Sequence, residues 1–322
     1  MYGEVVAILT SVSFALSFVL ARKIEKEATP IFQNAIRSLV GLISFLIICL
    51  FSGFLFNIIN LPLLVISLLG MSILFTVIIG DTSYLQSQKI LGPAKALAIT
   101  NTTPFFTILF ATLFLNRPFT FQMIFSGIFI GIGVAIITKQ KVTINDQKKQ
   151  SNPKTISDDK EGDHTNFKLI DIPISIKGLI YASIAAISWA IGLALSDYSI
   201  SQVNQILGTN IFSTILALMV RFLFAAVILN TIAYIEQKYK PIPKNRQTWK
   251  ILIISAILSY VLGSLFFGEA IHIVGASFMS LISTALPLFT IPFSYIINKE
   301  KLTKRGFLGV ILTVVGVIII LF

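Results

Sequence analysis

This 322-residue chain is short of charge: 14 acidic and 25 basic residues amount to 12% of the sequence, against 55% apolar. So few charges cannot cover the surface of a water-soluble domain, and a mean hydropathy of +0.88 excludes that class. A single cysteine, Cys49, rules out an intramolecular disulfide. The only histidines are His164 and His272, and no H-E-x-x-H occurs, which leaves a zinc hydrolase without ligands. No G-x-x-x-x-G-K-[ST] is present, so the chain carries no P-loop of its own. With no metal or nucleotide motif, no cofactor is expected and the chain does not read as an enzyme. The alternating strands of about ten residues that build a porin-like barrel are missing too.

What the sequence does have is apolar runs of about 20 residues, each long enough to cross roughly 30 Å of hydrocarbon as a helix. Ten can be read, at about 3–21, 32–56, 62–88, 92–115, 119–138, 178–198, 209–234, 249–271, 275–298 and 305–322. The expected fold class is therefore an all-α polytopic membrane protein with ten transmembrane helices. The first run does not read as a cleaved signal, because Glu4 precedes its apolar stretch while Arg22, Lys23 and Lys26 follow it. Its charge placement suits an uncleaved helix with its N-terminus outside.

The net charge of +11 is not spread evenly. Basic residues follow the first segment, fill the connection from Lys139 to Lys177, and recur at Lys238, Lys240, Lys244 and Arg246 and at Lys299, Lys301, Lys304 and Arg305. The alternate connections carry almost none, Arg117 being the exception. By the positive-inside rule the odd-numbered connections face the cytoplasm and both termini lie outside the cell membrane. A nucleic-acid partner would require a basic face on a soluble domain, and none is available; membrane lipid is the expected surrounding.

Residues 140–176 form the one long polar stretch, rich in Lys, Asp, Asn, Gln and Ser. It has too little apolar area to offset the entropy of ordering and reads as a disordered cytoplasmic linker, with His164 solvated. The linker separates two five-helix halves, 1–139 and 177–322. "ILGPAKALAITNTTPFF" (Ile90–Phe106) and "IVGASFMSLISTALPLF" (Ile273–Phe289) share a layout: Gly92 and Gly275, Pro104 and Pro287, Phe106 and Phe289, Thr107 and Thr290 all fall at a shift of 183. Gly80 matches Gly263 and Tyr84 matches Phe267, while Gly133-Val134 matches Gly316-Val317. Ser13-Phe14-Ala15 matches Ser188-Trp189-Ala190 at 175, and Arg37 matches Arg221 at 184, so about nine extra residues follow the sixth segment. Five is odd, so the second copy enters the membrane from the opposite face. Inverted repeats of this kind mark alternating-access transporters, whose site lies near the midplane between the halves.

The second half resembles the EamA repeat of the drug/metabolite transporter superfamily. The elements that carry the likeness are Ala270–Ser277 at a helix end, Pro287–Phe289, the turn Glu300-Lys301-Leu302, and the Gly-spaced last helix with Gly309 and Gly316. The first half departs at the turn, where Asn116-Arg117-Pro118 replaces the usual Glu. Outside the linker the resemblance covers essentially the whole chain. It implies a ten-helix secondary transporter, commonly an exporter of amino acids or related small metabolites. It also implies a central cavity lined by helices 1, 3, 4, 6, 8 and 9. The same superfamily includes proteins that move lipid-linked groups, so a flippase is the alternative: a wide lateral opening would favour it, an enclosed polar cavity a small solute.

Candidate substrate-binding residues follow from polar and aromatic groups inside the apolar runs. Asp81 is a carboxylate at membrane depth, where a charge is expensive and points to a partner or a pathway. Tyr84 and Gln88 share its face, and Tyr260, Ser264 and Phe267 form the matching stripe on the eighth segment. Asp81 could bind an ammonium, carry a coupling proton, or pair with Arg37 or Lys89. Ahead of Pro104 stand Thr100, Asn101, Thr102 and Thr103, and ahead of Pro287 stand Ser280, Ser283 and Thr284. These hydroxyls and amides can satisfy carbonyls that a helix proline frees, or face a wet cavity, with Asn101 and Thr284 equivalent. Ser13, Phe14, Ser188 and Trp189 complete the candidate set. Arg37 could snorkel toward the cytoplasmic side and reads as structural, whereas Arg221, deeper, is the better candidate for a carboxylate partner. Glu269 and His272 read as an interfacial pair or a pH-sensitive gate. Gly127 and Gly131 form a GxxxG for close packing within a monomer or in a homodimer.

Overall fold

Prolines and polar caps divide the apolar chain into helices. The computed structural model describes residues 2–24, 27–91, 96, 99–115, 120–138, 176–237, 242–298 and 304–321. Helix α1 (Tyr2–Arg22) is followed by α2 (Pro30–Phe51), whose N-cap Thr29 accepts a hydrogen bond from the Phe32 amide and is followed by Pro30 at the first position. A 3-10 segment (Phe54–Asn60) leads to α3 (Leu63–Ile73), a π-helical turn (Leu74–Asp81) and α4 (Thr82–Leu91), which run on as one rod. Next come α5 (Thr103–Leu115), α6 (Phe121–Thr138) and α7 (Ile176–Leu207). Helix α8 (Ile211–Glu236) is capped by the side chain of Asn210, and α9 (Arg246–Ala256) by that of Asn245. A second π-helical turn (Ile257–Gly263), α10 (Ser264–Thr284), α11 (Leu286–Asn298) and α12 (Lys304–Leu321) complete the described chain.

Among the described residues six helical stretches are long and apolar enough to cross a bilayer: Tyr2–Arg22, Pro30–Phe51, Leu63–Leu91, Ile176–Leu207, Ile211–Glu236 and Arg246–Ser283. Thr103–Phe114 and Phe121–Gly133 are shorter apolar helices. The described residues hold helices and no strand, which makes this an all-helical, multi-pass membrane protein. The linker 140–176, apart from Ile176, lies outside the described residues, as do Gly92, the Asn116-Arg117-Pro118 turn and the Glu300-Lys301-Leu302 turn.

The packing is interleaved. Helix α1 packs against α10, α11 and the second π turn, while α7 packs against α3, α4, α5 and the first π turn. Helix α2 lies along α8, and α6 along α12. The last pair approach closely at Gly316, where an added Cβ would stand 2.6 Å from the Ile130 side chain. Gly127 and Gly131 do not make that contact: a Cβ on Gly127 would meet Leu281 of α10 at 3.5 Å, and one on Gly131 would meet nothing within 4 Å.

Two expectations change. The proline stretches are not single kinked helices: the chain turns at Asn101–Thr102 and at Ala285, and Pro104 and Pro287 each stand second in the helix that follows. Proline fits there because its missing N–H belongs to the unpaired first turn. The extra residues after the sixth segment extend α7 to Leu207. That extension places Asp197 inside the helix, 1% exposed, where its carboxylate accepts a hydrogen bond at 3.1 Å from the Ala276 amide. Ala276 follows Gly275, whose φ of 81° and ψ of 165° break α10 in a conformation that glycine alone adopts at low cost.

Candidate functional site

Between these interleaved helices lies a cavity of about 180 Å³. Its walls are mostly aromatic and aliphatic, from Phe14 and Phe18 on α1, Leu193 on α7, Leu218 and Phe222 on α8 and Phe267 on α10. Three charged side chains reach it: Asp81, Arg37 and Arg221.

Asp81 ends the first π turn, a rare geometry concentrated at functional sites. Its two carboxylate oxygens are held from two different elements. Trp189 Nε1 of α7 donates to Oδ1 at 2.9 Å, shared with the Thr76 carbonyl at 3.0 Å, and the Tyr260 hydroxyl of the second π turn donates to Oδ2 at 2.9 Å. Trp189 comes this close because the positions it meets are small. A Cβ on Gly80 would stand 2.5 Å from the indole, and one on Gly192, a turn along α7, would stand 2.5 Å from Thr76. The Tyr84 ring lies tilted against that of Trp189 at 5.2 Å, and Phe18 lies 6.1 Å from Tyr84, which extends the aromatic wall.

Arg37 does not snorkel. It is 1% exposed, its Nη2 donating to Ser259 Oγ at 2.6 Å and Ser17 Oγ at 3.0 Å. Both serines donate their own protons to the Ser255 carbonyl, so their lone pairs are left to face the guanidinium. The guanidinium stacks on the Tyr260 ring at 4.5 Å, and Tyr260 in turn reaches Asp81. Among the described residues Asp81 has no ion pair within 4.0 Å; aromatic donors take that place. Lys89, the other partner considered from sequence, is exposed.

Of the residues singled out from sequence, Phe14, Asp81, Tyr84, Thr100, Asn101, Trp189, Tyr260, Phe267 and Ser283 line this cavity. Ser13, Ser188 and Gln88 do not. Ser13 and Ser188 each stand one position before a lining aromatic, about 100° around the helix, and Gln88 is a full turn past Tyr84 along α4. The side chain of Thr284 lies outside the described residues. Thr103 and Ser280 line the cavity while donating to the Thr100 and Ser277 carbonyls, and Ser283 donates to the Met279 carbonyl, so the hydroxyls near the prolines also serve their own helices. Phe18 and Thr76 were missed; Phe18 was findable, four residues from Phe14 on one helix face. Glu269 and His272 lie off this cavity. His272 Nδ1 contacts the Gly268 carbonyl at 3.1 Å, and the ring lines a separate polar pocket with Asp197 and Asn204.

No curated protein sequence matches the chain. A solved crystal structure shares its fold, with a TM-score of 0.72 over 98% of this chain and 95% of the other at 13% identity. The sequence itself matches the EamA-like transporter family over residues 1–139 and 176–322. Those two regions cover nearly the whole chain, and the protein belongs to this transporter family of the drug/metabolite transporter superfamily.

Proposed function

We propose that the protein is a secondary transporter that moves a small metabolite, an amino acid or a similar solute, out across the cell membrane by alternating access. Its substrate site is the cavity. The observation that carries this reading is the bonding of Asp81: a carboxylate from the first half is gripped by Trp189 and Tyr260, both from the second. Rocking of one half against the other must break and remake those bonds, which makes Asp81 the natural place for a coupling proton. With no P-loop in the chain, uphill export needs an ion or an exchanged solute. Phe14, Tyr84, Thr100, Asn101, Phe267 and Ser283 stand around the same space, and the sequence repeat adds Thr284, the counterpart of Asn101, to the proposed set.

The architecture proposed for this cycle is ten spans in two inverted five-helix repeats, 1–139 and 177–322, joined by the linker 140–176. Support comes from the reciprocal packing of α1 and α7. The first residues of the two π turns, Leu74 and Ile257, also stand 183 positions apart, the shift of the sequence repeat. Thr29 donates to Glu236 at 2.6 Å and Thr248 to Glu27, which brings two basic connections to one end of the molecule. That supports a cytoplasmic linker and both termini outside. A cysteine at Ser151 should resist an impermeant thiol reagent in intact cells while one added after Phe322 reacts; the reverse pattern refutes this orientation.

The functional test compares metabolites in cells and medium of a strain overproducing the protein with a strain lacking it. Accumulation of one small solute outside is expected, and a change confined to lipid-linked products would support the flippase instead. Identical profiles would remove the exporter reading. In proteoliposomes Asp81→Asn should lose uphill, proton-driven flux of that solute and keep exchange; full pH-driven flux in the variant would end the proton assignment.

A further inference from the structure

The two arginines of the cavity are not equivalent. Arg37 has two serine hydroxyls, Asn34 at 3.5 Å and the Tyr260 ring, and that ring passes the contact on to Asp81. Arg221, in the interior of α8, has one long hydrogen bond, from Nη2 to Thr76 Oγ1 at 3.3 Å, and the face of Phe267 at 5.4 Å. It is 3% exposed, and its Nε, like that of Arg37, has no hydrogen-bond partner. Among the described residues no carboxylate lies within 4.0 Å of it. A guanidinium carries five N–H donors and stays protonated, so burying one with a single neutral acceptor leaves a large desolvation cost unanswered. The cavity wall carries two cations and one anion, Arg37, Arg221 and Asp81. One negative charge is missing, and the gap is at Arg221.

We infer that Arg221 seats the carboxylate of the transported solute, an inference that rests on the transporter reading above. The planar fork of a guanidinium takes two carboxylate oxygens at once. The space around it is apolar, with Leu218, Phe267, Phe222 and Leu193 on the wall, so the rest of the ligand is a hydrocarbon or aromatic body. A single unpaired cation matches a monoanion; a dianionic phosphate would bring an excess charge into the same walls. The ligand class is thus an amphipathic monocarboxylate. An amino acid belongs to it when its carboxylate lies on Arg221 and its ammonium turns toward Asp81.

Full-length protein in lipid nanodiscs is titrated by calorimetry with 3-phenylpropionate and with hexanoate, each against its neutral amide. The wild type should prefer acid over amide by about tenfold or more. Arg221→Met, close in volume and uncharged, should bind acid and amide alike, and Lys89→Met, which removes an exposed cation off the cavity, should keep the wild-type ratio. Arg221→Lys retains the charge without the fork and should lose several-fold of the preference. Equal binding of acid and amide by the wild type, no binding of either, or a preference that survives Arg221→Met would each overturn the assignment. If Arg221→Met fails to fold, the wild-type ratio and the lysine variant decide. Export of a neutral or cationic solute with no acid preference would remove this site and leave the transporter. Acid-selective binding without export would leave the site and remove the exporter.

Discussion

At Leu74–Asp81 a π turn ends on a carboxylate; at Ile257–Gly263 the equivalent turn ends on a glycine and is followed by Ser264. An aromatic side chain leans on each. Trp189 meets Gly80, and Phe14, its counterpart in the sequence repeat, meets Gly263 at 3.3 Å from an added Cβ. The backbone device is therefore duplicated and the chemistry is not. An indole N–H buried in an apolar wall requires an acceptor, and Asp81 and the Thr76 carbonyl provide it. A phenyl ring requires none, and Ser264 opposite it bonds within its own turn, to the Ser259 carbonyl at 3.4 Å. The π turn serves to bring a large ring against a helix axis, while the carboxylate is what turns one of the two contacts into a polar lock.

The comparison breaks first at the glycines. In Gly80→Ala the new methyl would stand 2.5 Å from Trp189 and 2.7 Å from the Phe75 carbonyl, so ring or backbone must shift. Overpacking of that kind costs about 1–3 kcal/mol. Gly263→Ala meets its nearest atoms at 3.2 and 3.3 Å, and the roughly 1 kcal/mol gained in helix propensity offsets so small an adjustment. Thermal unfolding of the purified variants should show a clear loss for Gly80→Ala and almost none for Gly263→Ala; equal losses would mean that the two turns are packed alike.

A smaller effect sharpens the comparison from the polar side. Trp189→Phe removes the donor to Asp81 Oδ1 and Asp81→Ser removes the acceptor, so the double variant gives the first turn the chemistry of the second. Each single change should cost about 1–3 kcal/mol by leaving a buried polar group short of a partner. The double should cost less than their sum, with a coupling of about 0.5–3 kcal/mol in a double-mutant cycle on stability. Strict additivity would show that the Trp189–Asp81 bond contributes nothing of its own.

Much of the site was legible in the sequence because its rarest residues are expensive in hydrocarbon. A carboxylate beside a glycine at Asp81, a tryptophan at Trp189 and a tyrosine at Tyr260 stand out against apolar neighbours, and all three meet at the cavity. The bonding of Arg37 was not legible because its partners, Ser17, Ser259 and Asn34, are unremarkable serines and an amide whose convergence no local pattern reveals. Asp197 was passed over because it stood one residue from the expected end of its segment. The further helical residues to Leu207 and the broken backbone at Gly275 make it the acceptor for an amide that would otherwise be unpaired.

The sequence by itself determined the solvent, the helical class and the family, since hydrocarbon obliges each spanning segment to satisfy its own backbone and so writes length and hydropathy locally. The tertiary structure alone decided which polar groups meet and which stay unpaired. Each π turn holds one residue more than a regular helical turn and rotates every side chain beyond it by about 100°. Asp81 faces Trp189 and Tyr260, and Arg221 lines the cavity away from any carboxylate of the described residues, because helices from distant parts of the chain interleave at those rotations.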